Sequence, residues 1–345
     1  MKRPIIVLVI PTLQGNGAER VVSTLATGFE QQGCEVHIVL MLKNIVEIVF
    51  NGNPKIHHFK QYYRWVPRSI RGRLLAPILD RFIINKCGEP DLVLSNLMPS
   101  DRVLCHSKFN TYLIVHNTMS KEGHDYAEAK SIYTKKPVVC VSQGVKDDFD
   151  QIFDSRHISH VIHNAIDVDF IKRQSIEFKP EYEDYLVHVG GFKEQKGHDV
   201  LIKAYHQSGV ENLLILVGKG KLQKECEKLV DELGLNKKII FIGFQANPYP
   251  FIKNAKLMIL SSNFEGFGMV ITESLALDTP VISTDCPSGP SEILPNNNLT
   301  PVGDIDALAR KIADSAINTA EYATDLKEDF LIENQIKKYL QLVEK

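Results

Sequence analysis

Short, unbroken apolar runs recur along this chain, and a run of that kind fits a strand covered on both faces rather than one with a wet side. Ile5–Ile10 is the first. Behind it the apolar residues of 18–31 fall at helical spacing, so the chain opens as strand, loop and helix. Further runs at 36–42, 92–94, 113–115, 138–141 and 161–162, with longer segments between them, predict a parallel sheet with crossover helices. After the polar, acidic stretch 177–184 the plan repeats. Runs at 186–189, Leu213–Val217, 239–242, Leu257–Leu260 and 280–283 alternate with helical segments such as 199–207 and 222–233. The expected fold class is therefore α/β, with two Rossmann-like domains over residues 1–165 and 185–325 and a linker at 166–184. The tail 326–345 reads as one or two amphipathic helices. Their inward faces carry Leu326 and Phe330, then Ile332, Ile336, Tyr339, Leu340 and Val343.

Composition supports two packed domains: 345 residues, 44% hydrophobic and 24% charged, suffice for a large core and argue against disorder. No apolar run reaches the roughly 18 to 20 residues that cross a bilayer, since the first stops at Pro11. The charged start Met1-Lys2-Arg3-Pro4 lacks a small-residue cleavage site behind it, so a cytoplasmic location is expected. The six cysteines are dispersed and form no CxxC pair, which argues against a zinc knuckle or a thioredoxin-type site. A net charge of −2 excludes a generic polyanion binder, and no nucleic-acid motif is present.

The first strand runs through Pro11 into Gly15-Asn16-Gly17-Ala18-Glu19-Arg20. Gly15 and Gly17 would let backbone amides approach a phosphate at a helix N-terminus, or they simply make a tight turn with no ligand. A nicotinamide-binding site would want a third glycine where Arg20 stands and an acid at the end of the second strand. Neither is present, so that class is disfavoured.

Four segments follow one another in a telling order: the glycine loop just quoted, Val161-Ile162-His163-Asn164-Ala165-Ile166-Asp167, Val189-Gly190-Gly191-Phe192 through Lys196-Gly197, and Glu265-Gly266-Phe267-Gly268-Met269-Val270-Ile271-Thr272-Glu273. Together they resemble glycosyltransferase family 4, a retaining family with the GT-B fold, in which two Rossmann-like domains face each other across a cleft. The resemblance implies a hexose or N-acetylhexosamine moved from a nucleoside diphosphate sugar, a uridine diphosphate sugar by expectation, onto a glycan or lipid-linked acceptor. The segment Cys286-Pro287-Ser288-Gly289-Pro290 resembles bacterial members that build surface polysaccharides and lipopolysaccharide. The tail is expected to return to the first domain, as in relatives.

The resemblance also implies roles. A departing diphosphate develops negative charge that cations or oriented amides must meet, and Lys196 matches the family lysine that does so. The family's companion arginine is replaced by Gly191, which leaves Lys193 or Arg20 to supply a second charge. Glu265 is expected on the donor sugar hydroxyls and Glu273 on the ribose, because carboxylates accept paired hydrogen bonds from vicinal hydroxyls. Phe267, Gly268 and Met269 would offer backbone amides, and Gly243 and Phe244 would lie beside the base. His116 ends a strand at the carboxyl edge of the first sheet, where ligands of such sheets bind, and is expected by the donor sugar without being a nucleophile.

Two further readings complete the set. Residues 60–86 hold seven basic side chains, Arg64, Arg68, Arg71 and Arg73 among them, against the single acid Asp80, a local charge of +6, interleaved with Trp65 and other apolar residues. Such a segment suits the anionic inner face of the cytoplasmic membrane or a phosphorylated lipid acceptor, or else it is a solvated helix pair. Asp167 and Asp169 resemble a manganese-holding pair, yet they follow the link between domains and are expected to cap a helix; no metal or other cofactor is expected. A sugar-nucleotide epimerase and a non-enzymatic nucleotide-sugar or lipid-head-group sensor remain as alternatives on the same architecture.

Overall fold

The opening run forms β1, Ile5–Ile10, and all six side chains are buried because β1 sits inside a sheet with helices on its faces. The computed structural model describes the chain apart from residues 1–2, 43–47, 49, 60–65, 122, 124, 154–158 and 344–345. It divides into two compact units, Met1–Ile166 with Glu328–Lys345, and Asp167–Lys327.

In unit 1 the chain follows β1 with α1 (Gly17–Gln31), β2 (Glu35–Leu40), β3 (Lys55–His58), α2 (Arg68–Cys87), β4 (Leu92–Asn96), α3 (Met98–Leu104), β5 (Thr111–Val115), α4 (Tyr126–Tyr133), β6 (Val138–Cys140), α5 (Gln143–Phe153) and β7 (Ser159–Val161). The strands lie in the order β3-β2-β1-β4-β5-β6-β7, and every pairing is parallel. The order reverses between β1 and β4, so the loops leaving these two strands diverge and open a crevice at their carboxyl ends.

Unit 2 repeats the plan with α6 (Val168–Gln174), β8 (Tyr185–Val189), α7 (His198–Ser208), β9 (Leu213–Val217), α8 (Gln223–Glu232), β10 (Ile239–Gly243), α9 (Tyr249–Lys253), β11 (Leu257–Leu260), α10 (Met269–Leu275), β12 (Val281–Thr284), α11 (Pro290–Ile293), β13 (Leu299–Thr300) and α12 (Ile305–Ile317). Its six strands run parallel in the order β10-β9-β8-β11-β12-β13. Leu186, Leu216, Ile259 and Ile282 from the sheet pack with Leu201, Tyr205, Leu308 and Ile312 from the helices. Here the reversal falls between β8 and β11.

The apolar runs mark eleven of the strands to within a few residues. β3 and β13 escape them: Lys55-Ile56-His57-His58 is a polar edge strand, and β13 is only two residues long.

The tail makes a 3₁₀ turn, Glu328–Phe330, and then α13, Ile332–Leu340, both within unit 1. α13 lies on α1, where Gly28 provides the space: a Cβ there would come within 2.5 Å of Ile336. Phe29 and Tyr339 meet edge to face at 6.0 Å. Ile166 exchanges backbone bonds with Phe330 and Ile332 at 2.9 and 3.0 Å, which fixes where the tail rejoins the sheet. The inward face differs from the expected one at its end: Leu342 is buried while Leu340 and Val343 are half-buried, because the helix stops at Leu340 and the following turn swings Leu342 inward.

Candidate functional site

The loops leaving β8 and β11 meet at the strand-order reversal of unit 2. Gly197 makes this contact possible. Its φ is +59°, and a Cβ would lie 2.3 Å from the carbonyl oxygen of Ser261, so a side chain would force the loops apart. Across the junction the Ser261 hydroxyl donates to the Lys196 carbonyl at 2.9 Å, the Asn263 amide to Gln195 at 2.7 Å, and Gln195 Nε2 to Phe264 at 3.1 Å. The result places Lys196 Nζ 2.5 Å from Glu265 Oε1, an oxygen that also accepts from Ser262 Oγ at 2.6 Å. Both charged side chains are largely enclosed, and removing one partner of such a pair typically costs about 3–5 kcal/mol.

The remainder of the 265–273 segment is held by backbone fit. Gly289, at φ +101°, lies so close beneath Phe267 that a Cβ would fall 2.1 Å from its carbonyl oxygen. Gly268, at φ +83°, opens α10, while Gly266 and Val270 are buried and Met269 is half-buried. Phe267 spends its ring in the interior, leaving only its backbone for other work. Glu273 is buried in α10 and accepts from Tyr249 Oη at 3.3 Å.

Gly191, where the family resemblance would place an arginine, sits against a different loop: a Cβ there would be 3.4 Å from the carbonyl oxygen of Lys219. That carbonyl accepts the Phe192 amide at 3.2 Å, and the Lys219 ammonium rests 4.5 Å over the exposed Phe244 ring. Gly243, at φ +79°, turns the chain out of β10 and accepts the Gly218 amide at 2.9 Å. Sequence alone did not single out Lys219; its only signal is the Gly218-Lys219-Gly220 turn after β9. Lys193 instead lines a groove of about 360 Å³ with Glu194, His198 and Leu222, which neither Lys196 nor Glu265 borders.

Two buried histidines underlie the Lys196 loop. His188 Nδ1 donates to the Ile259 carbonyl at 2.8 Å, and His198 stacks on Phe192 at 4.1 Å. Burial, with Lys196 adding its positive charge, holds both rings neutral, at about 4 for His188 and about 2 for His198.

In unit 1 the glycine loop has an internal anion. The buried carboxylate of Glu19 accepts from the amides of Gln14 and Asn16 at 2.8 and 2.9 Å and from Thr12 Oγ1 at 2.5 Å. Two amides of the loop are thus engaged by the protein itself, as in the reading of this loop as a turn. Gly15, at φ +96°, makes the turn, and Gly17 begins α1 with Arg20 one turn on. His116 Nε2 lies 2.9 Å from Asn96 Oδ1, and Asn96 Nδ2 donates to Val9 of β1, which ties His116 to the β1/β4 crevice. Its Nδ1 is enclosed without a hydrogen-bond partner, and burial lowers the ring to about 4.

Of the basic segment, Arg64 and Trp65 lie outside the described residues, and Arg68 opens α2. Arg71 Nε donates to the Val66 carbonyl at 3.0 Å. The single acid is turned inward: Asp80 is buried and accepts from Ser107 Oγ and the Lys108 amide. Leu75, Leu79 and Ile83 fill the core, whereas Ile70, Leu74 and Ile78 stand 47%, 51% and 44% exposed on the opposite face, beside exposed Arg73 and Arg81. Asp167 caps α6 by accepting from the Phe170 amide at 3.0 Å, and Asp169 faces solvent. Among the described residues no helix is long and apolar enough to cross a membrane.

The sequence matches the family model for Glycosyl transferases group 1 over residues 169–329 and that for Glycosyltransferase Family 4 over residues 15–170. Curated relatives include the N-acetylgalactosamine-N,N'-diacetylbacillosaminyl-diphospho-undecaprenol 4-alpha-N-acetylgalactosaminyltransferase of Campylobacter jejuni, 31% identical over 48% of this chain and 46% of that protein. The lipopolysaccharide 1,6-galactosyltransferase of Salmonella typhimurium is 29% identical over 49% of each. The chain thus spans about half the length of these curated relatives. Among solved structures, HepE of Anabaena in complex with UDP and glucose superimposes with a TM-score of 0.76 at 19% identity, covering 99% of this chain and 98% of that one. The lipopolysaccharide outer core galactosyltransferase WaaB, in apo form, gives 0.72 at 19%, covering 99% of each. The likeness establishes a GT-B fold of two Rossmann-like parallel-sheet domains.

Proposed function

The chain belongs to the family 4 and group 1 glycosyltransferases, and from that membership we propose that it moves a hexose or N-acetylhexosamine from a uridine diphosphate sugar to a glycan or lipid-linked acceptor of a bacterial surface polysaccharide or lipopolysaccharide. The observation that carries the proposal is the Lys196–Glu265 pair at the strand-order reversal of unit 2. As the bond from the sugar's anomeric carbon to the diphosphate breaks, charge gathers on the departing oxygens, and the ammonium of Lys196 is there to receive it. Glu265, fixed by Ser262, holds that ammonium before the donor arrives and takes the sugar hydroxyls afterwards; Glu273, supported by Tyr249, takes the ribose.

Transfer proceeds on the face the diphosphate leaves. The acceptor oxygen bonds to the anomeric carbon as the diphosphate departs, and the acceptor's proton passes to a diphosphate oxygen, so configuration is retained. His116, at the β1/β4 crevice of unit 1, is neutral at physiological pH and carries no proton in this scheme. Lys219 is the natural second cation: its backbone adjoins Gly191, and its ammonium lies beside Phe244, where the nucleotide is expected. The apolar and basic outer face of α2 docks the protein on an anionic leaflet, near a lipid-linked acceptor.

The test is turnover with a panel of uridine, guanosine and adenosine diphosphate sugars, with and without lipid-linked oligosaccharide. Free UDP appearing only with acceptor, lost in Lys196→Ala and Glu265→Gln, supports transfer. Conversion of the nucleotide sugar alone supports epimerisation, and tight binding with no turnover under any condition supports a sensor.

A further inference from the structure

A second cluster of chemistry-bearing side chains lies in unit 1, at the edge of the first sheet. The β2/β3 register sets His37 opposite Lys55 and Val39 opposite His57, so Glu35, His37, Lys55 and His57 share one face. The last residue of α2, Cys87, reaches the same place. One ligand atom from each of His37, His57 and Cys87 lies within 4.8 Å of the other two, with His37 and Cys87 buried and His57 half-buried. His37 Nδ1 and His57 Nε2 are 2.9 Å apart.

The far side of His37 is already arranged. Its Nε2 lies 3.1 Å from Glu35 Oε1, and that oxygen also accepts from Lys55 Nζ at 2.6 Å. A carboxylate there keeps the ring proton on Nε2 and turns the Nδ1 lone pair toward His57 and Cys87. This is how a carboxylate behind a histidine orients it toward a metal.

We propose that His37 Nδ1, His57 Nε2 and Cys87 Sγ bind one divalent cation of the zinc class, with a water molecule as fourth ligand. Two imidazoles and a thiolate suit zinc and disfavour magnesium or calcium, which take oxygen. Tetrahedral bonds of about 2.0–2.1 Å to nitrogen and about 2.3 Å to sulfur put ligand atoms roughly 3.3–3.6 Å apart. The two nitrogens therefore separate by a few tenths of an ångström, and the sulfur, within 4.8 Å of both, closes in by at most about 1 Å. On binding, the Cys87 proton leaves to solvent and the His57 proton moves from Nε2 to Nδ1. The cation then joins β2, β3 and the end of α2, pinning a polar, incompletely buried edge strand.

The experiment is titration of the chelator-stripped chain with Zn²⁺ against a chromophoric chelator, together with Co²⁺ absorption. One Zn²⁺ per chain is expected, with a thiolate-to-cobalt band that Cys87→Ser abolishes. Glu35→Gln should weaken zinc roughly 10–100-fold by freeing His37. A zinc-induced rise in unfolding temperature should appear in the unaltered chain and vanish in His57→Gln and Cys87→Ser. Each variant is compared with itself, with and without zinc, and the cobalt spectrum of the unaltered chain is a test even if a variant fails to fold. Absence of the thiolate band, or stoichiometric zinc that survives both substitutions, overturns the proposal.

Discussion

Lys196 and Lys219 differ in how each is anchored. Lys196 is locked to Glu265, whereas Lys219 is held, among the described residues, by its backbone and by the Phe244 face. Lys219→Ala is expected to lower kcat/KM by roughly 10- to 100-fold, the worth of one charge-assisted hydrogen bond. Lys193→Ala should change it less than about twofold, and the reverse ranking would remove Lys219 from the site. The two neutral histidines below give a second expectation. In the unfolded chain they bind protons as pH falls through about 6.5, while in the fold they resist until about 4 and about 2. The unfolded state then holds more protons, so unit 2 loses stability from pH 6.5 down toward 4, by about 1.4 kcal/mol per pH unit per ring. His198→Phe should halve that slope in urea melts, and an unchanged slope would contradict the assignment. Glu265 and Glu273 were legible in the sequence because one contiguous motif carries them. Ser262, three residues before Glu265, carries no pattern of its own, and Tyr249 and Lys219 were hidden because only the fold brings them beside Glu273 and Gly191. The His37, His57 and Cys87 cluster was hidden for the same reason: only strand register and the end of α2 unite residues whose spacing follows no metal-binding pattern.

At the level of elements, short unbroken apolar runs made the sheets legible, and charge count made α2 conspicuous. What the count left open was which side of α2 faces out. Burial of Asp80 and exposure of Ile70, Leu74 and Ile78 answer it: one face of the helix is apolar and basic at once. The chain is expected to sediment with anionic vesicles at low salt and not with neutral ones. Replacing Arg73 and Arg81 together by serine should weaken that partitioning roughly thirtyfold, at about 1 kcal/mol per basic residue. Equal recovery with both vesicle types would reject electrostatic docking by α2. β3 was missed because its pattern is polar, and the proposed cation would give such a strand a reason to stay paired.

For the molecule as a whole, the proposed transfer is expected to need no metal. Chelator is therefore expected to lower the unfolding temperature through the His37–His57–Cys87 cluster while leaving turnover at moderate temperature unchanged. Turnover abolished by chelator and restored by manganese would defeat that view of catalysis. Deleting residues 328–343 should unfold unit 1, where α13 covers Gly28 and Phe29, and leave the unit 2 transition in place; a lost unit 2 transition would contradict the division. The same division sets an order of events during synthesis. Because α13 finishes a layer begun by α1, the half translated first stays incomplete until the tail has cleared the ribosome's exit tunnel, and the half translated second has all its residues before then. A nascent chain held by an added C-terminal linker, with residue 327 just outside the tunnel and the tail still within it, would accordingly protect its later half from protease while its earlier half remained open to cutting.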